Sequence, residues 1–245
     1  MRHPIFKACG WYYGLWLTGM LVLSSCTHRP SAVEQMRLEK ARKDSLTYVR
    51  AQQNMHYSDS VLQLLLPRTD SMLTSFVYSK DEKNEDYGHY VHRLLQTTGN
   101  ASRNYLQAYV SDNRQTSVQS YYFGSVACRQ QTVRVEAGED FVEEEGSNHA
   151  FEAEGWHEIL TIDGENANRI LAFISSHPEE RIRVTALDVR HEARCSYYLS
   201  NGEKQALADT YRLAVLMSNI DALERAIHVS DLQIKKYEKK HPERK

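Results

Sequence analysis

Two apolar periods divide the chain. Toward both ends apolar residues recur every three to four positions, and between about residues 104 and 199 the period falls to two. The first spacing lines one face of a helix, whereas the second alternates side chains across a strand. The expected class is α+β: long N- and C-terminal helices pairing as an antiparallel coiled-coil-like hairpin, with an antiparallel β-rich domain containing one helix inserted between them.

The C-terminal helix, over 200–245 with its basic tail, is the plainer of the two. Ser200-Asn201-Gly202-Glu203 has the form of a capping box, in which Ser and Glu side chains reciprocally satisfy free N–H groups at a helix start. Leu213, Leu216, Ile220, Leu223, Ile227, Ile234 and Tyr237 then keep a 3.5-residue spacing that Ser230 alone interrupts. In the N-terminal helix, over 31–66, the stripe is Leu38, Ala41, Tyr48, Met55, Leu62 and Leu66, with Ser45, Gln52 and Asp59 as polar interruptions. Pro67 is expected to end or kink it. Lengths of roughly 36 and 40 residues, about 54 and 60 Å, suit an antiparallel pair. The alternatives are that each helix packs along the body, or that the seam dimerises between chains.

Between the helices, 67–103 reads as a connecting segment, with a short helix around Met72, Leu73, Phe76 and Val77 and a charged loop from Ser79 to Gly88. Strands are expected at Tyr105 to Val110, Val118 to Phe123, Thr132 to Glu136, Phe141 to Glu144, His149 to Glu154, Trp156 to Ile162, Arg181 to Val189 and Ala193 to Leu199. One helix interrupts them, with Asp163 to cap it and Ala167, Ile170, Leu171 and Ile174 as its apolar face. Eight short strands over 104–199 suggest a sandwich or barrel-like module.

The first residues follow a different logic. A short basic head, Met1 to Lys7, precedes a compact apolar run from about Ala8 to Leu23, and Leu23-Ser24-Ser25-Cys26 closes it. The layout is that of a secretory signal and is too short for a spanning helix. It resembles the lipobox of bacterial lipoproteins. The resemblance implies that 1–25 is removed as a signal peptide, that Cys26 is acylated on its thiol and new amino terminus, and that 26–30 is a tether. The protein would then be held at a membrane through its N-terminal lipid. Thr27, with no acidic run behind it, resembles outer-membrane sorting, which implies a periplasm-facing position if the source is a diderm bacterium.

Loss of Arg2 and Lys7 with the signal leaves 220 residues carrying 28 basic against 32 acidic side chains, a net charge of −4. That balance argues against nucleic acid as a partner. Cysteine usage changes too: Cys9 leaves, Cys26 is acylated, and Cys128 and Cys195 remain as a candidate disulfide, with two buried unpaired thiols as the alternative.

The search for chemistry yields fragments. His157-Glu158 and His191-Glu192 lack the second His of a metalloprotease motif, and His89 and His92, at i and i+3, would juxtapose two imidazoles only on a helix. No phosphate-cradling loop, dinucleotide fingerprint or nucleophile elbow is present, so no catalytic residue, metal ligand or cofactor is assigned. From Val135 to Asn168 eleven acidic residues occur without a Lys or Arg. Within that run Glu143, Glu144 and Glu145 form a candidate patch for a basic protein partner, or, with Ser147 and Asn148, oxygen donors for a weakly held Ca²⁺. Tyr121, Tyr122, Phe123, Trp156, Tyr197 and Tyr198 are dense enough to line a groove for sugars or peptides. The expected function is a lipid-anchored cell-envelope protein with a binding or scaffolding role. The alternatives are an envelope hydrolase built on His149, His157 or Cys128, and a purely structural spacer.

Overall fold

The computed structural model describes residues 31–80, 88–96, 103–152 and 155–242. The lipobox Cys26 and the head before it lie outside the described residues. Two compact units divide the chain at residue 44. In the first the chain is helical from Ala32; the second, residues 45–245, holds all the strands described below.

Helix α1 runs from Ala32 to Leu73 and passes through Pro67, where the sequence predicted an end or a kink. The proline withdraws one N–H from the helix ladder and leaves the Gln63 carbonyl unpaired, a cost of about 3 kcal/mol in a helix interior. Gln63 and Pro67 are both exposed, so water can reach that carbonyl. Beyond it, Met72 and Leu73 are drawn into a cluster with Phe76, Val110, Leu213 and Ala214, which offsets the cost. Thr69 also donates its hydroxyl to the Leu65 carbonyl at 3.0 Å.

The segment expected to be a connector supplies two strands instead, β1 at Phe76–Lys80 and β2 at Gly88–His92, followed by the one-turn helix α2 at Arg93–Gln96. They join β3 (Tyr105–Ser111), β4 (Thr116–Gly124), β7 (Ser147–Glu152) and β8 (Trp156–Asp163) in a six-stranded antiparallel sheet of order β1-β2-β3-β4-β8-β7. The second sheet has the order β10-β9-β5-β6, from β5 (Thr132–Ala137), β6 (Asp140–Glu145), β9 (Ile182–Leu187) and β10 (Ala193–Tyr198). The eight strands read from the sequence are all present, with ends that differ by at most two residues. The chain changes sheets at Gly146, between β6 and β7. A Cβ there would lie 2.5 Å from the Thr161 carbonyl oxygen, so the corner admits only glycine.

Helix α3 (Gly164–Ser176) buries Ala167, Ile170, Leu171 and Ile174, as its periodicity predicted. They meet Leu106, Val118, Leu160 and Ile162 from the larger sheet and Val133, Val135, Ile182 and Val184 from the smaller one in a single core. Asp163 does not cap this helix with its side chain; its carboxylate accepts from the Ser117 hydroxyl across the sheet. Helix α4 (Asn201–Lys240) starts with the expected capping box, Ser200 Oγ accepting from the Glu203 N–H at 3.2 Å and Glu203 Oε2 accepting from the Ser200 N–H at 2.8 Å.

The two long helices pack together. Tyr48 stacks on Tyr237 with ring centroids 4.5 Å apart, while Met72 at the other end of the contact packs with Leu213. These neighbours require opposite chain directions. On α4 the expected stripe is buried or half-buried throughout, and Ser230, expected to break the seam, is itself buried. On α1 the seam is displaced. Ala51, Ser58 and Thr69 are buried and Leu65 half-buried, while Gln52, Asp59 and Leu66 face solvent. A helix offers steps of three or four from Tyr48, Met55 and Leu62; the sequence reading followed the step that ends on Leu66, and the fold takes the one that buries small side chains.

Candidate functional site

Strand β8 alternates His157, Ile159 and Thr161 on one face with Glu158, Leu160 and Ile162 on the other, and the second set is buried. Glu158 therefore enters the interior, at 1% exposure, where a carboxylate persists only with full hydrogen bonding. Its partners come from the segment between β4 and β5 and from β7. Oε1 accepts from the Arg129 N–H at 2.7 Å, and Oε2 from the Gln130 N–H at 2.9 Å and from Asn148 Nδ2 at 3.0 Å. Gln130 is fixed again by Ser120, whose hydroxyl it receives at 3.1 Å and whose carbonyl it donates to at 3.0 Å. Gln131 donates its N–H to the Leu187 carbonyl and Gly146 its N–H to the Gln131 carbonyl. This segment, with Asn148, Trp156 and Glu158, walls a cleft of about 520 Å³.

The same segment carries Cys128, which is 2% exposed. Cys195 is half-buried at a bulge in β10, and both are free thiols. Interaction with Cys195, together with burial, pushes the Cys128 thiol up, and interaction with Cys128 holds the Cys195 thiol below its ordinary value. The backbone N–H of Ala186 adds to the second effect, and Arg194 stands close enough to Cys128 to act on it electrostatically.

The other sequence candidates disperse. Glu143 pairs with Arg134, directly across the β5–β6 register, and Glu144 is buried under a bidentate contact from Arg169 of α3 at 2.5 and 2.8 Å. Glu136 is held below the usual carboxylate range by hydrogen bonding to Arg183 on β9. The acidic run thus takes its cations from neighbouring elements, and Glu145 alone of the triplet is exposed. Asn148, considered as an oxygen donor, spends its amide on Glu158. His89 and His92 lie on strand β2 rather than a helix, where an odd separation points them to opposite faces. His92 is buried, its pKa lowered by desolvation against the pull of Asp209, and it accepts the Leu94 N–H at 3.2 Å. Among the described residues no three His, Cys, Asp or Glu side chains gather as a metal-holding group.

The aromatics part company as well. Tyr197 packs into the core, Tyr198 lies under the Arg181 guanidinium at 3.7 Å, and Tyr121 stacks on Tyr105 at 4.3 Å. A row the sequence did not assemble runs across the outer face of the larger sheet: Phe123 on β4, His157 on β8 and Phe151 on β7 are direct cross-strand neighbours. Phe123 and His157 are 4.8 Å apart, and His157 and Phe151 stack in parallel at 4.9 Å. The row ends on β7, an edge strand exposed at every residue.

Further groove space, about 720 Å³, opens between α1, α3 and α4, where Pro67, Met72, Tyr211 and Leu216 supply apolar walls and Arg68 and Arg212 two cations. No family model, curated protein or solved structure matches the chain.

Proposed function

We propose that this protein is a lipid-anchored component of a bacterial cell envelope that works by binding: the edge strand β7 and its aromatic row receive an extended, basic segment of a partner protein. The observation that carries the reading is the exposure of β7 along its whole length. An edge strand offers a free row of backbone donors and acceptors, and proteins that keep such an edge open commonly use it for strand addition. Phe151 and His157 provide a stacking surface beside that edge. Glu145 and Glu152 flank it, exposed and without an ion pair among the described residues. A basic peptide matches both features, through hydrogen bonding along the backbone and charge at the two ends.

The scaffolding part of the reading rests on the long helices, which we take as an antiparallel coiled coil. Stepping from Tyr48 and Tyr237 in opposite directions pairs Ala51 with Ile234, Met55 with Ser230, Ser58 with Ile227, Leu62 with Leu223, Leu65 with Ile220 and Thr69 with Leu216, and arrives at Met72 and Leu213. That register would set each small residue against a large one, as knobs-into-holes packing needs. All of these positions are buried or half-buried.

Crosslinking in cells followed by capture of the lipoprotein tests the binding surface. Phe151→Ala combined with Glu145→Gln and Glu152→Gln should reduce capture of the partner at least tenfold with an unchanged melting temperature, and added salt should weaken the wild-type capture. Equal capture by variant and wild type would remove β7 as the binding edge.

A further inference from the structure

We infer that the groove beside α4 binds a single-chain phospholipid, its acyl chain against the apolar walls of α1 and α4 and its anionic phosphoglycerol head in a polar cavity at the start of α4. The inference is independent of the binding role proposed for β7 and of the anchor at Cys26. It rests first on continuity. The apolar groove of about 720 Å³ and a second cavity of about 320 Å³ share Ser175 and Arg212 in their walls. On α4 the two are lined by Asn201, Lys204, Ala208, Arg212, Val215 and Leu216, a spacing of three to four that keeps to one helix face. That face is about 22 Å long, room for an extended acyl chain followed by its head. Val215 on the apolar stretch is exposed, a surface that such a chain would cover.

The second observation is a buried cation without a counter-ion. Lys204 is 8% exposed and donates to the backbone carbonyls of Pro178 at 2.7 Å and Glu180 at 2.8 Å, but meets no carboxylate among the described residues. An ammonium has three donors, so one remains for a ligand, and a buried charge is costly until it is paired. Its position adds to that cost. The first turns of α4 present the positive end of the helix dipole, which favours an anion and disfavours a lysine. Glu203 beside it is taken by Ser200 and Arg103. An anion in the cavity answers both the ammonium and the dipole. Arg212 spends one bond on Asp209, at 2.8 Å, and keeps further guanidinium donors. Arg68, on the α1 wall, is exposed and has no ion pair among the described residues. These three cations outnumber Asp209 and Glu179, the exposed carboxylate that lines the polar cavity. The size of that cavity selects the head. A fatty-acid carboxylate would leave most of it empty, whereas a phosphoglycerol group brings a phosphate for Lys204 and Arg212 and hydroxyls for Asn201 and Gln205.

The probe is lysophosphatidylglycerol carrying a photoactivatable group in its acyl chain, added to the full chain in its membranes and followed by peptide mapping. In wild type the adducts should fall on the segments around Pro67 to Met72 and Tyr211 to Leu216, a result that needs no variant to fold. Unlabelled lysophosphatidylglycerol should suppress them, and lysophosphatidylcholine, palmitate and glycerol phosphate should each compete at least tenfold less well. Val215→Glu places a charge on the apolar wall at an exposed position and should cut labelling at least tenfold with an unchanged melting temperature. Arg212→Gln should lower labelling severalfold and Glu179→Gln should raise it, opposite signs that follow only from an anionic head. Adducts confined to other segments would overturn the site. Competition by lysophosphatidylcholine or palmitate equal to that of lysophosphatidylglycerol would overturn the phosphoglycerol head.

Discussion

Glu158 shows what a single residue does in this fold. Its carboxylate takes two backbone N–H groups and one amide from two stretches of chain, and without it the Gln130 N–H would be left buried and unpaired. A buried donor without a partner costs about 1 to 3 kcal/mol. Glu158→Ala is therefore expected to destabilise the protein by about 3 kcal/mol or more, read as a lowered urea midpoint. Glu145→Gln, which touches no such network, should stay within about 0.5 kcal/mol of wild type. An unaltered midpoint for Glu158→Ala would mean that water replaces the carboxylate, and that the cleft wall does not depend on it. The same contrast bears on any test of the acidic run. Replacing Glu143, Glu144 and Glu145 together would confound binding with the loss of the Arg134 and Arg169 pairs, so only the exposed residue is informative.

At the scale of elements, the α1 seam can be tested by two adjacent positions. Ala51 is 1% exposed and Gln52 faces solvent. Ala51→Leu should overfill its buried site and cost about 1 to 3 kcal/mol, whereas Gln52→Leu should be nearly neutral. The reverse order would restore the stripe through Gln52, Asp59 and Leu66. Why the sequence pointed to that stripe is instructive. Apolar periodicity finds faces lined by large residues, and the eight expected strands, the α3 face and the α4 seam were all legible on that signal. It is blind to a seam built from Ala51, Ser58 and Ser230, because their burial depends on what stands opposite. The two early strands were hidden for a related reason: Phe76 to Lys80 has only one buried residue, and its partner β2 follows the charged sequence 81–87. Of the candidate site, Cys128 and Cys195 stand out in the sequence as the last two thiols, but their unequal burial does not, since it depends on the elements packed around them. Glu158 had a signal that went unused, since it alternates with Leu160 and Ile162, and a carboxylate on an apolar strand face must be hydrogen-bonded or functional.

For the whole molecule the decisive residue is one outside the described fold. No described helix is long and apolar enough to cross a membrane, so the proposed residence at a membrane needs another device. Cys26, placed directly after Leu23-Ser24-Ser25, is the proposed one. Acyl chains contribute about 0.8 kcal/mol for each buried CH₂, so two or more chains hold a protein far more tightly than surface charge does. The C-terminal cations Lys235, Lys236, Lys239, Lys240, Arg244 and Lys245 can add an attraction to anionic headgroups, but one screened over about 8 Å at physiological salt. These two sources respond differently to salt. The wild-type chain, fed a clickable fatty acid in its host, should carry the label and stay with membranes through a high-salt wash. Cys26→Ala should lose the label and appear in the salt-washed soluble fraction, with the capture behaviour of its β7 edge intact. A variant that keeps the label would transfer acylation to another residue and end the lipobox assignment. A variant that loses the label yet resists the salt wash would show that protein contacts, rather than lipid, hold this molecule in place.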